Sequence, residues 1–146
     1  MSVFFYVLDE PARILFIDDD PILREFARVN LASDQVQIDV AEDGLAALDA
    51  LERQNYDILL VDLEMPRLDG FGLLSKLRTD ARWQHLPVVV ESGREDVDAI
   101  DRAFQAGATS FVVKPLNWRL LSYQLRFVLR NSRASDALRR SALVAA

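Results

Sequence analysis

Short apolar runs alternate with stretches of helical periodicity along this chain of 146 residues. The apolar runs predict strands at residues 12–17, 36–41, 57–61, 86–91 and 110–114. Apolar positions at helical spacing predict helices at residues 21–32, 43–53, 71–78 and 95–106, and from Leu116 onward. Strands that alternate with helices pair in parallel through right-handed crossovers. Because the runs are apolar throughout, both faces of the sheet are expected to be covered, which predicts an α/β, doubly wound three-layer sandwich.

The start of the first helix is indicated by its polar residues. Asp20 is a natural N-cap, and Pro21 suits the first helical position. Ile22, Phe26 and Val29 follow at helical spacing and are expected to form the apolar face of this helix. We therefore interpret Asp20 as a capping residue rather than as a metal ligand.

Composition narrows the class of protein. Hydrophobic residues make up 51% of the chain, which is enough for a core and argues against a disordered protein. The chain has no cysteine, so disulfides and thiolate metal sites are excluded. No apolar run is long enough to span a membrane, and the apolar residues 3–8 lack the basic start of a signal peptide. These features predict a cytoplasmic protein.

The net charge of −6 is unevenly distributed. From Asn117 onward the chain has six arginines and a single acid, Asp136, so this part carries +5 and the preceding part −11. An acidic body argues against direct binding of nucleic acid. The basic tail is expected to be a solvated helix face rather than a docking site for an anionic partner.

Polar residues stand where the predicted strands end: Asp18, Asp19, Asp62, Ser92 and Lys114. In a doubly wound sheet the ligand site lies beyond the carboxyl ends of the strands, so these side chains are expected to converge. Clustered carboxylates repel one another unless a cation lies between them, and such oxygen ligands suit Mg²⁺ (or Mn²⁺). An aspartate beside a cation and a lysine can attack a phosphoryl group. The pattern therefore predicts a site that forms and cleaves an acyl phosphate.

Three segments resemble, in sequence and in order, the signature segments of response-regulator receiver domains. They are ILFIDDDP at residues 14–21, DILLVDLEMPRLDG at 57–70 and GATSFVVKP at 107–115. Each motif is weak alone, whereas the ordered set is highly specific. The resemblance covers residues 12–130 and implies a flavodoxin-like sheet of strand order 2-1-3-4-5. It also implies a two-component signalling domain, not an enzyme, that receives its phosphoryl group from a histidine kinase or a phosphotransfer protein.

The resemblance implies a role for each residue of the site. Asp62 would be the phosphoacceptor. Asp18, Asp19, Asp62 and the backbone carbonyl of Glu64 would hold the Mg²⁺ ion. Lys114 would contact the phosphoryl group.

Further residues are implied in switching and in the lifetime of the phosphoryl group. Ser92 and Phe111 would be the switch pair, with Phe111 turning inward on phosphorylation. Glu64 and Arg94 would flank the route of the attacking water and tune dephosphorylation. The peptide bond before Pro115 would be cis.

Two features depart from the family pattern. Glu91 lies in the fourth strand, where the family usually has an apolar residue. Because an unpaired buried carboxylate is costly, Glu91 is expected to reach the sheet edge or to pair with a cation such as Arg94. The apolar residues 4–8 precede the usual start of the family, and they are either a frayed tail or an arm that covers a neighbouring chain or the sheet edge.

The organisation of the chain follows from the extent of the resemblance. Residues 1–11 are predicted to be an N-terminal arm, 12–130 the receiver domain and 131–146 a C-terminal linker helix toward an output module. The long final helix resembles those that join receivers to PAS, GGDEF, EAL or kinase modules. The chain is then either a piece of a longer regulator or a single-domain regulator that acts by protein contact.

The resemblance implies an output surface formed by the fourth helix, the fifth strand and the fifth helix, which is also the family's usual dimer surface. Val112, Pro115, Trp118 and Leu121 are expected near this face.

Two other classes of function remain open. A metal-dependent phosphohydrolase would need a general-acid aspartate two residues after Asp62, where this chain has Glu64. A receiver-like domain that only docks partners is disfavoured, because the acidic residues and Lys114 are all present.

Overall fold

In the computed structural model, which describes residues 10–93 and 97–145, five strands alternate with five helices. The strands are β1 (Ala12–Ile17), β2 (Val36–Ala41), β3 (Ile58–Asp62), β4 (Val88–Ser92) and β5 (Ser110–Val113). The helices are α1 (Pro21–Leu31), α2 (Gly44–Arg53), α3 (Gly70–Arg78), α4 (Val97–Gln105) and α5 (Trp118–Ala145). The predicted N-terminal arm lies outside the described residues, except for its last two.

The strands form one parallel sheet in the order β2-β1-β3-β4-β5. The crossovers place α1 and α5 on one face and α2, α3 and α4 on the other. The structure thereby confirms the predicted doubly wound, flavodoxin-like fold and its strand order.

Two apolar layers hold the helices to the sheet. On one face, Leu51, Leu74 and Ala103 pack against the inner strands, and on the other face Leu31 and Leu125 do so. The central strands β1, β3 and β4 contribute side chains to both layers, which explains why their sequences are apolar throughout. Each buried aliphatic side chain contributes about 1.5–3 kcal/mol to folding relative to an exposed one.

Most element boundaries lie within a residue of the predicted ones, and two element starts lie two residues later for local reasons. Strand β4 begins at Val88 rather than Leu86, because Pro87 has no N–H for the ladder. Helix α5 begins at Trp118, because the side chain of Asn117 accepts a hydrogen bond from the N–H of Leu120 at 3.0 Å and so caps the helix.

The apolar face of α1 is not the one expected from the sequence. Ile22, Phe26 and Val29 are all exposed, whereas Ala27 and Leu31 are buried against the sheet. Because the side chain of Ala27 is small, the helix can lie close to the strands. The buried stripe of Ala27 and Leu31 therefore lies beside the exposed stripe of larger apolar residues.

Helix α5 packs as its apolar spacing predicts. Leu121, Leu125, Val128 and Leu129 are all buried. Leu121 and Val112 belong to the core beneath the face of α4, β5 and α5, and the use of that face as an output surface stays a prediction.

Trp118, at the start of α5, packs on β1. Its ring lies against the ring of Phe16, with the two centroids 6.2 Å apart. Its side chain is only partly buried and borders the core cluster that contains Phe16.

Ion pairs and a hydrogen bond of Arg133 hold the second half of α5 near the amino ends of the strands. One Arg133 nitrogen lies 2.6 Å from Oε2 of Glu10, and another donates a hydrogen bond of 2.7 Å to the carbonyl of Pro11. Asp57 lies 3.8 Å from the same guanidinium and also accepts the N–H of Arg13 at 2.7 Å.

In the part of the chain described, no helix is both long and apolar enough to cross a lipid bilayer.

Candidate functional site

The polar residues predicted at the strand ends do come together. Ile17 pairs with Val61 across β1 and β3, so the residues that follow them, Asp18 and Asp62, lie side by side. Lys114 follows β5 directly and reaches both carboxylates. The parallel sheet thus gathers side chains that are far apart in sequence at one edge.

Asp62 is almost fully enclosed, with a relative exposure of 4%. Its Oδ1 accepts the backbone N–H of Glu64 at 3.0 Å, and its Oδ2 lies 3.1 Å from the Nζ of Lys114. Burial raises the pKa of Asp62, and the nearby Asp18 adds to this effect, whereas the Glu64 N–H and Lys114 act against it. The net direction is upward, so the pocket favours any group that brings positive charge to Asp62.

Asp18 is buried, while Asp19 beside it is exposed. The Oδ1 of Asp18 accepts the backbone N–H of Asp20 at 2.8 Å. Its Oδ2 lies 3.2 Å from the Nζ of Lys114, an ion-pair contact, but has no hydrogen bond of good geometry. Asp20 itself caps α1 by accepting the N–H of Ile22, which confirms its predicted capping role.

Lys114 supplies the positive charge of the pocket. Burial would lower its pKa, but the carboxylates of Asp18 and Asp62 outweigh burial and raise the pKa above the ordinary value. The ammonium is therefore charged throughout the physiological pH range. The peptide bond between Lys114 and Pro115 is cis, as predicted.

Glu91 lies in the same pocket, and the expectation that it reaches the sheet edge is wrong. It pairs with Asp62 across β3 and β4 and is fully buried. Burial, followed by the interaction with Asp18, raises the pKa of Glu91 well above its ordinary value. Neither oxygen of Glu91 has a hydrogen-bond partner among the described residues, so its surroundings disfavour the charged form of this carboxyl.

Although Glu91 is buried, the predicted register of β4 holds, because Ser92 is the last residue of the strand, as predicted. Arg94, the expected partner of Glu91, lies outside the described residues. Its role, with Glu64, in tuning dephosphorylation therefore stays a prediction.

The donor set fits a divalent cation. One carboxylate oxygen from each of Asp18, Asp19 and Asp62 lies within 4.8 Å of the others. The Oδ2 of Asp18 is buried without a hydrogen bond, so this oxygen is available to a ligand. Hard oxygen ligands in this arrangement are those that Mg²⁺ prefers. The carbonyl of Glu64 stays a predicted fourth ligand.

The two residues predicted as a switch pair lie on neighbouring strands. Ser92 is buried at the end of β4, and Phe111 is partly buried in β5 and packs against the layer of α2, α3 and α4. The carbonyl of Ser92 accepts the N–H of Lys114 at 2.9 Å, which ties the end of β4 to the lysine.

The loop after Asp62 returns closely to the strand. A Cβ at Gly70 would lie 2.7 Å from the carbonyl oxygen of Asp62 and from the Cα of Leu63, so only glycine fits there. The side chain of Asp69 accepts the N–H of Gly72 at 2.8 Å and caps α3. The side chain of Asp69 therefore orders the start of α3.

Ion pairs and a backbone hydrogen bond hold the same loop to the start of α2. Arg67, in the left-handed region with φ of 68°, forms ion pairs with Asp43 and with Glu42. The N–H of Gly44 donates to the carbonyl of Leu68 at 3.0 Å. These contacts hold the segment that carries Glu64 at a fixed distance from the sheet.

Two features of the pocket, the position of Glu91 and a contact of Arg24, were not predicted. Glu91 was expected at the sheet edge or beside a cation, and its place next to Asp62 depends on the register of β3 and β4. The guanidinium of Arg24 donates a hydrogen bond of 2.8 Å to the backbone carbonyl of Asp18, and nothing in the sequence indicated this contact.

Comparison with known proteins agrees with this geometry. A family model described as the response regulator receiver domain matches residues 14–126. The Heme response regulator HssR of Staphylococcus epidermidis is 34% identical over 116 residues, which are 80% of this chain and 50% of that protein. Response regulator MprA of Mycobacterium leprae is 34% identical over 125 residues, or 86% of this chain and 54% of that protein. The chain spans about half the length of the curated relatives it matches.

Solved structures share the fold. A putative response regulator from Chloroflexus aurantiacus has a TM-score of 0.78 at 26% identity, covering 83% of this chain and 99% of that one. Chemotaxis response regulator CheY4 of Vibrio cholerae has a TM-score of 0.76 over 81% of this chain and 98% of that one, and at 24% identity it supports the fold alone.

Proposed function

Because the chain belongs to the response-regulator receiver domain family, we propose that it is a two-component switch whose phosphoacceptor is Asp62. The observation that carries this proposal is the Lys114 ammonium, which lies within 3.2 Å of both Asp62 and Asp18 where three carboxylates meet. The donor would be a histidine kinase or phosphotransfer protein, and the transfer would take place in the cytoplasm. The domain would catalyse only its own phosphorylation and dephosphorylation and would not act as an enzyme on a separate substrate.

In the transfer step, an oxygen of the Asp62 carboxylate bonds to the phosphorus of the donor's phosphohistidine. The phosphorus–nitrogen bond breaks, and its electron pair leaves with the imidazole nitrogen. The Glu64 N–H orients the carboxylate, and Lys114 neutralises charge that develops on the phosphoryl oxygens. The Ser92 hydroxyl would donate a hydrogen bond to one of these oxygens. The product is an acyl phosphate on Asp62.

The site would hold Mg²⁺ (or Mn²⁺) through Asp18, Asp19, Asp62 and the backbone carbonyl of Glu64. The bound cation supplies positive charge that offsets the carboxylates and the phosphoryl oxygens. The fit rests on the three convergent carboxylates and on the buried Asp18 oxygen that lacks a hydrogen bond.

Regulation in this proposal follows from the residues around the acceptor. Ser92 and Phe111 would rearrange together on phosphorylation and change the surface of α4, β5 and α5. Glu64 and Arg94 would set the lifetime of the acyl phosphate. Residues 131–146 would form the linker toward an output module or partner, and the altered surface would also allow a homodimer.

The proposal is tested by incubating the purified chain with Mg²⁺ and acetyl phosphate and recording its intact mass. We expect one labile phosphoryl adduct that is absent in Asp62→Asn and absent in the presence of a chelator. Repeated turnover of phosphoesters without an adduct would instead support a phosphohydrolase. No reaction with any donor would support a domain that only docks partners.

A further inference from the structure

Arg24 lies in the first turn of α1, and its side chain reaches back to the end of β1. One nitrogen of its half-buried guanidinium donates a hydrogen bond of 2.8 Å to the backbone carbonyl of Asp18. In the described part of the chain, no carboxylate forms an ion pair with this guanidinium. Arg24 therefore binds the backbone of the acidic residues and does not neutralise one of their side chains.

The acidic segment (residues 18–20) that Arg24 holds carries two of the three carboxylates of the cation site. Asp18 and Asp19 follow β1 directly, and one oxygen of each lies within 4.8 Å of one from Asp62. The N–H of Asp18 still bonds to the sheet, at 3.0 Å from the carbonyl of Ala41. The Asp18 carbonyl lies past the end of the strand and takes its donor from Arg24.

The backbone of Arg24 is joined to the same segment. Its N–H donates to the carbonyl of Asp20 at 3.1 Å, and the N–H of Asp20 in turn donates to the Oδ1 of Asp18 at 2.8 Å. With the guanidinium contact, these bonds close a ring around the acidic segment. Because the Oδ1 of Asp18 is engaged in that ring, its Oδ2 is the oxygen left for a cation.

We infer that Arg24 is a positioning residue of the cation site, whose guanidinium fixes the acidic segment so that Asp18 and Asp19 present their carboxylates to the ion. This inference rests on the proposed function, because it concerns the same cation pocket. Groups that orient metal ligands typically contribute about 10- to 100-fold to metal affinity. Arg24 acts through the backbone of a ligand residue, so we expect the lower end of this range.

The charge of Arg24 and its hydrogen bond have opposite effects on cation binding. A guanidinium near the pocket repels Mg²⁺, so loss of the charge alone would tighten binding. Loss of the hydrogen bond frees the acidic segment, and ligands that are no longer held in place bind the ion more weakly. The direction of the change in Mg²⁺ affinity therefore separates positioning from charge.

The test measures Mg²⁺ binding by isothermal titration calorimetry on the whole chain without any phosphodonor. Arg24→Met removes the donor and the charge but keeps an unbranched side chain. Arg28→Met is the matched control, because it removes an exposed arginine one turn further along α1. We expect Arg24→Met to bind Mg²⁺ about 10-fold more weakly than the original chain, and Arg28→Met to bind it equally or slightly more tightly.

Hydrogen exchange measured by NMR reports the position of the acidic segment without any metal. We expect the amide hydrogen of Asp20 to exchange about 2- to 10-fold faster in Arg24→Met than in the original chain or in Arg28→Met. Exchange in β3 is the reference for overall stability and should not change. Faster exchange at Asp20 alone, together with weaker Mg²⁺ binding, supports the inference.

Two results would overturn it. One is an Arg24→Met variant that binds Mg²⁺ within about twofold of the original chain or more tightly, which would leave Arg24 a structural or purely electrostatic role. The other is an unchanged exchange rate at Asp20. If Arg24→Met does not fold, Arg24→Gln, which also lacks the charge and has a shorter side chain, is judged by the same two criteria.

The two readouts keep this inference distinct from the proposed function. If the original chain binds Mg²⁺ but forms no adduct on Asp62, the phosphoacceptor proposal fails, whereas the ratio of Mg²⁺ affinities still decides the role of Arg24. If the adduct forms and the affinities do not differ, only the role of Arg24 is refuted. An original chain that binds no Mg²⁺ would refute the cation site and this inference with it.

Discussion

The Asp43 carboxylate has no exposed surface, yet its pKa lies below the ordinary value. Burial by itself would raise this pKa, but the N–H of Ala46, which Asp43 accepts at 2.8 Å as the N-cap of α2, and the guanidinium of Arg67 outweigh it. A carboxyl group whose pKa is lowered by folding stabilises the folded protein at neutral pH.

We expect Asp43→Asn to lower the free energy of unfolding at pH 7 by about 1–3 kcal/mol, because a charge-assisted cap and an ion pair are weakened. The direction of the pH dependence follows from the lowered pKa of Asp43. The difference from the original chain should be complete above the ordinary aspartate pKa and should shrink as the pH falls through the folded value. Urea unfolding followed by circular dichroism at several pH values measures it. A difference that is the same at acidic and neutral pH would contradict this account.

Residue roles were predictable where a local motif fixes them. Asp20 and Asp69 cap helices that begin directly after them, and each role follows from a short stretch of sequence. The burial of Asp43 and of Glu91 was not predictable, because it depends on which elements cover those positions. Arg67 and Asp18, their respective neighbours, are distant in sequence.

At the scale of elements, strand positions were predicted better than helix faces. Strands buried on both sides are apolar at every position, and the chemistry lies where those runs stop. Helix α1 has two adjacent stripes that are both apolar, so periodicity alone cannot choose between them. The choice depends on Ala27, whose small side chain packs closely on the sheet.

This assignment of the α1 faces predicts unequal effects of two substitutions. Leu31→Ala should lower the free energy of unfolding by about 2–5 kcal/mol, because it opens a cavity in the core. Phe26→Ala, on the exposed stripe, should change it by no more than about 0.5 kcal/mol. Both values come from urea titrations under identical conditions. Equal losses would show that α1 is rotated relative to the structure described.

At the scale of the whole molecule, α5 spans the depth of the sheet. It begins beside the cation pocket, where Trp118 packs on Phe16, and is tied to Glu10 and Pro11 at the opposite end through Arg133. The continuation of this helix through Ala145 follows the predicted long helix, but its fastening at Arg133 depends on contacts that no sequence pattern indicated.

The contacts of Arg133 with Glu10 and Pro11 predict a local effect of Arg133→Ala. We expect amide hydrogens of α5 beyond residue 133 to exchange about 2- to 10-fold faster, because the ion pair with Glu10 and the hydrogen bond to Pro11 are lost. Exchange in β1 and β3 should not change. Arg140→Ala, which alters an exposed arginine of the same helix, is the matched control. Equal exchange in the two variants would mean that Arg133 does not anchor the helix.

The contact between Trp118 and Phe16 gives the protein an internal optical reporter. Phe16 precedes Asp18 by two residues, so the indole of Trp118 lies next to the strand that enters the pocket. The chain's other tryptophan, Trp83, lies under the guanidinium of Arg82 at 4.0 Å, at the opposite end of the sheet. Replacing Trp83 with phenylalanine would leave a single emitter, and events in the pocket could then be followed by its fluorescence without any attached dye.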